Sequence, residues 1–516
     1  MTSAKAATAA AVVLALVTAC SSGGAAEPAR DSLVWATASP PNSLDIAHGF
    51  NNASTLIQSA VLDTMLTLDT RGAPAPRLAT EWTQPDPATY LFTLRKGVRF
   101  ADGTPLTADD AAFSLRRHLD PKVASQAASY FTTVKQVEAV GADQIKVTLK
   151  RPNPAFLAMA AIAWQVTPRK LAEAHPQDLG SPEVGTMGTG PFKVAKFSLT
   201  SGVVLERNAS YWGRPPALRT VEFKTITDPE TLRLAVRSGE VDATDGLTVR
   251  DARKWTGLPG VRTIFYPGNN IGYLSLAVTS GPLKDLHVRR AIAHAVNRRA
   301  VSDLMTSGHG APATTVLPAP QLAALYGDSP PSLPAHPYDV QRAKAELAMS
   351  AYPQGFELAV PYASTGDSGT VMQAVAADLA KIGIRLTLEP SPADQYRARV
   401  MQHDRLSIQY VNLAYGTPDP LEVLPDMVSR AAAEPEGFNF SGYGTAATDR
   451  QLDALASATG QDRKALVTAL LTEVAEQVPY IPLFSTDYAV ALSEKFTGTF
   501  TTWSADVIAS LRPAGR

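Results

Sequence analysis

Cysteine is almost absent from this chain of 516 residues: Cys20 stands alone. A single cysteine excludes a disulfide within the chain. Placed so close to the N-terminus, it also excludes a thiol nucleophile in the folded body. An excess of charge of either sign is lacking as well. Net charge is −1 with 18% charged residues, which gives nucleic acid or an anionic membrane surface no electrostatic footing. No apolar run reaches the roughly 18 residues of a spanning helix, and no repeat of solenoid period recurs. Catalytic signatures are missing too: there is no H-E-x-x-H and no G-x-S-x-G. The eight histidines are scattered. His287 and His294 lie two turns apart on one helical segment, too far for the usual i, i+4 metal pair, and both read as structural. The acid pair Asp109-Asp110 reads as a helix start before it reads as a general base.

What is present is an ordinary globular composition, 45% hydrophobic, long enough for two or three domains with proper cores. The N-terminus departs from it. Lys5 precedes an apolar segment from Ala7 to Val17, followed by Leu16-Val17-Thr18-Ala19-Cys20 and a small polar stretch. This fits a secretory leader. A small residue before a lone cysteine looks like a bacterial lipobox, so residues 1–19 are expected to be a signal peptide. Cys20 is then the acylated first residue, and residues 20–32 are a lipid-anchored tether.

Tyr90 to Arg117 is the most informative stretch. Tyr90, Phe92 and Leu94 alternate with Leu91, Thr93 and Arg95, which predicts a half-buried strand broken at Gly97. Val98 to Phe100 reads as a second short strand, Asp102-Gly103 as a tight turn, and Thr107 with Asp110 as a capped helix start. Elsewhere, Asn270 to Leu276 and Leu406 to Leu413 read as strands, and Asp285 to Met305 as one amphipathic helix with its arginines on the solvated face. Phe356–Val360, Val371–Ile382 and the alternating Ile384, Leu386 and Leu388 read as a β-α-β unit, with Gly383 just past the helix. The Gly-rich Gly188-Thr189-Gly190-Pro191-Phe192 runs into a strand and carries a proline. It is therefore a structural crossover rather than a phosphate cradle.

Several of these strings together resemble one family, the extracellular solute-binding proteins of peptide and nickel ABC importers (family 5). They are L-R-K-G-V-R-F, D-G-T-P-L-T-A-D-D, G-T-G-P-F-K-V, the turn from Asn208 to Trp212, S-G-E-V-D, V-R-R-A-I-A-H-A-V-N-R-R, and Pro479-Tyr480-Ile481-Pro482-Leu483. The resemblance covers roughly Leu33 to Phe484. It implies an α/β fold of periplasmic-binding-protein type II (cluster C), two hinged lobes plus an inserted small subdomain. The implied boundaries are residues 33–49, 188–266 and 486–516 for lobe I, 50–187 for the inserted subdomain, and 267–485 for lobe II.

The function implied is that of a monomeric lipoprotein of an ABC importer. It would capture a small solute between its lobes, a peptide first, without catalysis or a cofactor, and deliver it to a permease and its ATPase subunits at the cell membrane. An oligosaccharide, nickel chelate or haem on the same fold is the alternative, and a secreted hydrolase the alternative of another class. By the family's topology, Asn412, Leu413, Ala414 and Tyr415 would line the cleft floor by their backbone, and Asn439, Phe440 and Ser441 would face the cleft. Tyr130, Trp164 and Gln165 would come from the small subdomain, and Asn42 and Ser43 from the N-terminal loop. One departure stands out. Where peptide-binding members carry an aspartate that grips the ligand's ammonium, this chain has Gly416, which cannot pair a charge. Asp419 and Glu422 are the nearby replacements.

Overall fold

The computed structural model describes residues 31–503 and 506–515. The expected leader, Cys20 and the tether as far as Arg30 lie outside the described residues.

A ten-stranded sheet organises the molecule. Along its main path run Ile408–Ala414, Asn270–Leu276, Tyr480–Ser493, Ala243–Thr244, Ser32–Thr37, Thr220–Thr225, Gly202–Arg207 and Phe192–Ser198. The 14-residue strand Tyr480–Ser493 belongs to both halves. Its first residues pair antiparallel with Asn270–Leu276, and its later ones with Val261–Pro267 and Ala243–Thr244. Ser32–Thr37 pairs parallel with both Thr220–Thr225 and Ala243–Thr244, so three strands end on the same side.

Apolar side chains collect in separate cores on the two halves. One lobe is built around Trp35, Phe192, Leu205, Phe223 and Leu492. The other contains Leu274, Val288, Ile292, Val375 and Ile481, with a second cluster around Tyr273, Leu424 and Leu470. A third body, the small subdomain, has its own four-stranded antiparallel sheet in the order Ala79–Asp86, Thr89–Leu94, Gln144–Leu149, Val134–Val140. Its core holds Tyr90, Phe92, Leu94, Phe131, Phe156 and Trp164. Trp503, from the C-terminal tail, joins that core. The helix Asn52–Val61, expected within the inserted subdomain, gives Ile57, Ala60 and Val61 to the first-lobe core instead.

Local signals explain the elements. Tyr90, Phe92 and Leu94 are the buried face of Thr89–Leu94, as period-two alternation requires. Thr107 and Asp110 form a reciprocal capping box at the start of Ala108–Arg117: the Asp110 N–H donates to Thr107 Oγ1 at 3.1 Å, and the Thr107 N–H donates to Asp110 Oδ2 at 3.0 Å. Phe356–Ala363 and Ile384–Ser391 pair in parallel around the helix Ser368–Ala380, and Gly383 takes φ +87° where the chain turns back.

Three sequence expectations change. Val98–Phe100 is not a strand; only Arg99 bridges Pro105, because the turn at Gly103 closes at once. The helix expected over 285–305 is two, Leu286–Ala295 and Arg298–Thr306. Asn297 breaks it: its N–H donates to Asp378 Oδ2 and its side chain caps Ala300. Arg289 and Arg298 are not on a solvated face. Both act as carbonyl clamps, buried Arg289 on Gln477, Leu283 and Lys284, and half-buried Arg298 on Pro482 and His336.

The segments carrying the family resemblance meet around Asp63, whose side chain is fully buried. Asp63 Oδ1 accepts from Arg77 Nε at 2.7 Å, and Oδ2 accepts from Thr189 Oγ1 and Trp212 Nε1, both at 2.8 Å. Gly188 and Gly190 crowd the Val61 carbonyl so closely that a Cβ would stand 2.2 and 2.6 Å from its oxygen. The glycines of that crossover therefore serve packing.

Candidate functional site

A cleft of about 580 Å³ opens where the lobes and the small subdomain meet. That volume lies in the range of small-molecule sites. Its walls come mainly from residues 46–77, Ala161 to Gln165, Asp245 to Arg250, Asn412 to Gly416, Phe484 to Ala489 and Thr501 to Trp503, with Tyr266, Met305, Asp367 and Val507 adding single residues.

The second-lobe wall is the end of Ile408–Ala414, the edge strand of the sheet. The Tyr415 N–H donates to the Asn269 carbonyl at 2.9 Å. Backbone groups alternate in direction along an antiparallel strand. Those of Leu413 therefore face the neighbouring strand, while those of Asn412 and Ala414 lie along the open edge.

The charges divide unevenly. Arg77 is held charged by Asp63 and Asp506. Arg250 pairs with Asp367 at 2.7 Å. Two carboxylates on the wall have no such partner. Asp245, at the end of Ala243–Thr244, accepts from Trp35 Nε1 at 3.1 Å, and burial pushes its carboxyl above the usual range against that hydrogen bond and one from its own backbone. Asp487, on the shared strand, is likewise pushed up by burial, with His309 partly opposing.

Beside Gly416 the acids are already engaged. Glu422 Oε1 accepts from the Gly416 N–H at 2.9 Å and from Tyr130 Oη at 3.2 Å. Its Oε2 accepts from the N–H and the Oγ1 of Thr417, each at 2.7 Å. Burial raises its pKa, and these donors oppose the rise. Asp419 pairs with Arg463 and accepts from the Leu421 N–H. Neither is free to replace the missing aspartate, which corrects that expectation.

Of the residues named from sequence, Gln165, Asn412, Ala414 and Gly416 line the cleft together. Leu413 and Tyr415 do not. They project to the opposite face of the strand and pack with the second-lobe core. Trp164 is fully buried, its Nε1 donating to the Ala111 carbonyl. Tyr130 stands behind the wall, bridging to Glu422 and packing edge-on against Phe50, which does line the cleft.

The N-terminal pair is absorbed locally: Asn42 bonds Ser54 and His48, and Ser43 donates to the Leu179 carbonyl. Asn439, Phe440 and Ser441 form a buried turn. The Asn439 amide donates to Ser429 and Tyr443 while its oxygen accepts from Ser441 and Tyr480, and Phe440 packs beside Phe438 and His403.

Sequence reasoning missed Asp245, Asp487, Arg250 and Asp367. Asp245 had a usable signal, since it lies at the carboxyl end of a strand parallel to Ser32–Thr37, where α/β sheets place ligands. Among the described residues, no group of three or more His, Cys, Asp or Glu could hold a metal ion. No described helix is long and apolar enough to cross a membrane.

Comparison with known proteins agrees with this architecture. The family described as "Bacterial extracellular solute-binding proteins, family 5 Middle" matches residues 73–434. The glutathione-binding protein GsiB of Salmonella choleraesuis (strain SC-B67) is 27% identical over 423 residues, 80% of each chain. Among solved structures, the periplasmic binding protein DppA of Helicobacter pylori, in complex with the peptide STSA, has a TM-score of 0.77 at 25% identity. The match covers 93% of this chain and 98% of that one. CtaP of Listeria monocytogenes, an ABC transporter substrate-binding protein, shares the fold with a TM-score of 0.84 at 22% identity, covering 94% and 100%. The sheet shared by two lobes, the inserted subdomain and the cleft between them thus have their counterpart in a defined family: this chain belongs to the bacterial extracellular solute-binding proteins, family 5.

Proposed function

We propose that the protein captures a short peptide in this cleft and delivers it to a membrane ABC permease, held near the membrane by lipid on Cys20 and acting as a monomer without chemistry of its own. The observation that carries the peptide reading is the open edge of Ile408–Ala414 on the cleft wall. An extended chain can add to such an edge through main-chain hydrogen bonds, which ignore side-chain identity. A peptide ligand of GsiB-like and DppA-like relatives accords with it. The two lobes, joined through residues 267–270 and the shared strand, are the bodies that close on the ligand. A lipid anchor at Cys20 rests on the lipobox pattern.

Native mass spectrometry of the purified protein, with extraction of whatever co-purifies, tests the reading. A series of peptides supports it. A discrete sugar or metal complex would replace the peptide by another solute, and turnover of a peptide or ester panel would revive the hydrolase.

A further inference from the structure

The wall of the cleft is short of positive charge. Both arginines that line it, Arg77 and Arg250, already hold carboxylates. Asp245 and Asp487 line it, and among the described residues no cationic side chain is bonded to either. Gln165 is only 8% exposed, and its Oε1 is buried with no hydrogen-bond partner among the described residues. It too lines the cleft. Three acceptor side chains therefore line one cavity, and among the described residues none of them is ion-paired with a cationic side chain. A carboxylate removed from water is costly unless a cation answers it. A cationic group on the ligand would supply that charge when the cleft closes.

We propose that Asp245, supported by Asp487 and the Gln165 carbonyl, binds a primary ammonium or guanidinium group of the solute on the first-lobe and hinge side of the cleft. The assignment deepens the reading of the cleft as a solute site and rests on it. Its geometry is built. Trp35, buried in the first-lobe core, fixes one oxygen of Asp245 through its indole N–H. Asp245 also follows directly on Ala243–Thr244, the short strand held between Ser32–Thr37 and Tyr480–Ser493, so its backbone position is rigid. The opposite wall offers no competing site, because all four hydrogen bonds of Glu422 go to Gly416, Thr417 and Tyr130, and Asp419 is held by Arg463. Burial raises the Asp245 carboxyl, the state expected of an acid whose counter-charge arrives with the ligand.

The test is calorimetric titration of the purified protein with matched peptides: Ala-Ala-Ala with a free or acetylated amine, and Ala-Lys-Ala against Ala-norleucine-Ala. Putrescine and agmatine serve as non-peptide cations. Wild type should lose about tenfold or more in affinity when the positive group is removed, as expected for a desolvated charge pair. Asp245→Asn should lose that discrimination, and Asp487→Asn should weaken it, with circular dichroism and melting as in wild type. Charged and neutral twins binding alike, or discrimination surviving in Asp245→Asn, overturns the cation site while leaving the peptide reading intact. Asp245-dependent binding of putrescine or agmatine without any peptide binding upholds the site and removes the peptide reading. Binding by neither panel at millimolar concentration overturns both.

Discussion

Arg250 Nη1 and Asp367 Oδ1 stand 2.7 Å apart, one on the first lobe and the other at the start of the second-lobe helix Ser368–Ala380. Ser307 adds a second tie by donating its hydroxyl to the Arg250 carbonyl at 2.7 Å. Both charged side chains are 35% exposed, so the pair contributes roughly 0.2–1 kcal/mol. Arg250→Ala should shift the unliganded lobes toward the open form by at most about fivefold in population. Small-angle scattering should show a larger radius of gyration, and high salt should reproduce part of the change in wild type. An identical radius in both proteins would remove the pair from the closing contacts.

Ala414 sits where the edge strand meets the cleft. Proline there deletes an N–H that faces away from the sheet, a replacement edge strands tolerate. Ala414→Pro should melt near the wild-type temperature yet bind peptides at least about tenfold more weakly, since the lost donor leaves a ligand carbonyl unpaired. Calorimetry alongside thermal melting separates the two effects.

Restoring an aspartate at Gly416 should not restore a cation site. A Cβ at Gly416 would lie 3.2 Å from Tyr130 Oη and 3.6 Å from Glu422 Oε1. The new carboxylate would thus face one already buried there. Gly416→Asp should lower stability by about 1–3 kcal/mol, as overpacked and like-charged sites do. Urea denaturation of both proteins checks this, and a gain in stability would count against it.

Burial, with Glu422 adding to it, pushes Asp426 up to about 7. The folded protein therefore keeps a proton that the unfolded chain has released by about pH 4. Folding is penalised by this group progressively as pH rises from about 4 to about 7, and the penalty is then constant. Asp426→Asn lacks the penalty, so its melting temperature should gain on wild type across that window and level off above it. Buried His118, lowered to about 4, contributes the opposite slope. It is common to both proteins and cancels in the difference. A difference flat between pH 5 and 8 would refute the assignment.

Removing the Asp63 carboxylate should cost more than any of these changes. Asp63→Ala strands Arg77 with only the half-exposed Asp506 and frees the Thr189 and Trp212 donors. A loss of roughly 3–5 kcal/mol is expected. It should appear as a lower urea midpoint with an unchanged slope.

Local features were legible in the sequence because their causes are local. Alternation marked Tyr90, Phe92 and Leu94, the Thr107–Asp110 pair marked a helix start, and Gly383 marked the turn after another helix, Ser368–Ala380. The strand holding Asn412 and Ala414 was equally plain. The cleft itself was not, because its wall joins segments as distant as Gln165, Asp245 and Asp487. Leu413 and Tyr415 were lost to a simple parity rule: neighbours on a strand face opposite ways. Asn439 and Ser441 looked like ligand contacts but close a turn upon themselves. Arg289 and Arg298 looked solvated because charge suggests water, whereas guanidinium groups also bind buried carbonyls.

The strand Tyr480–Ser493 lies between both lobes and arrives late in the chain. A ribosome that has not yet made it has produced neither lobe with a complete sheet. Partial products then remain without their central strand until synthesis is nearly finished. The same arrangement makes C-terminal truncation an all-or-none lesion: a chain stopped before residue 480 loses the mid-sheet partner of Asn270–Leu276 and of Val261–Pro267 in a single cut.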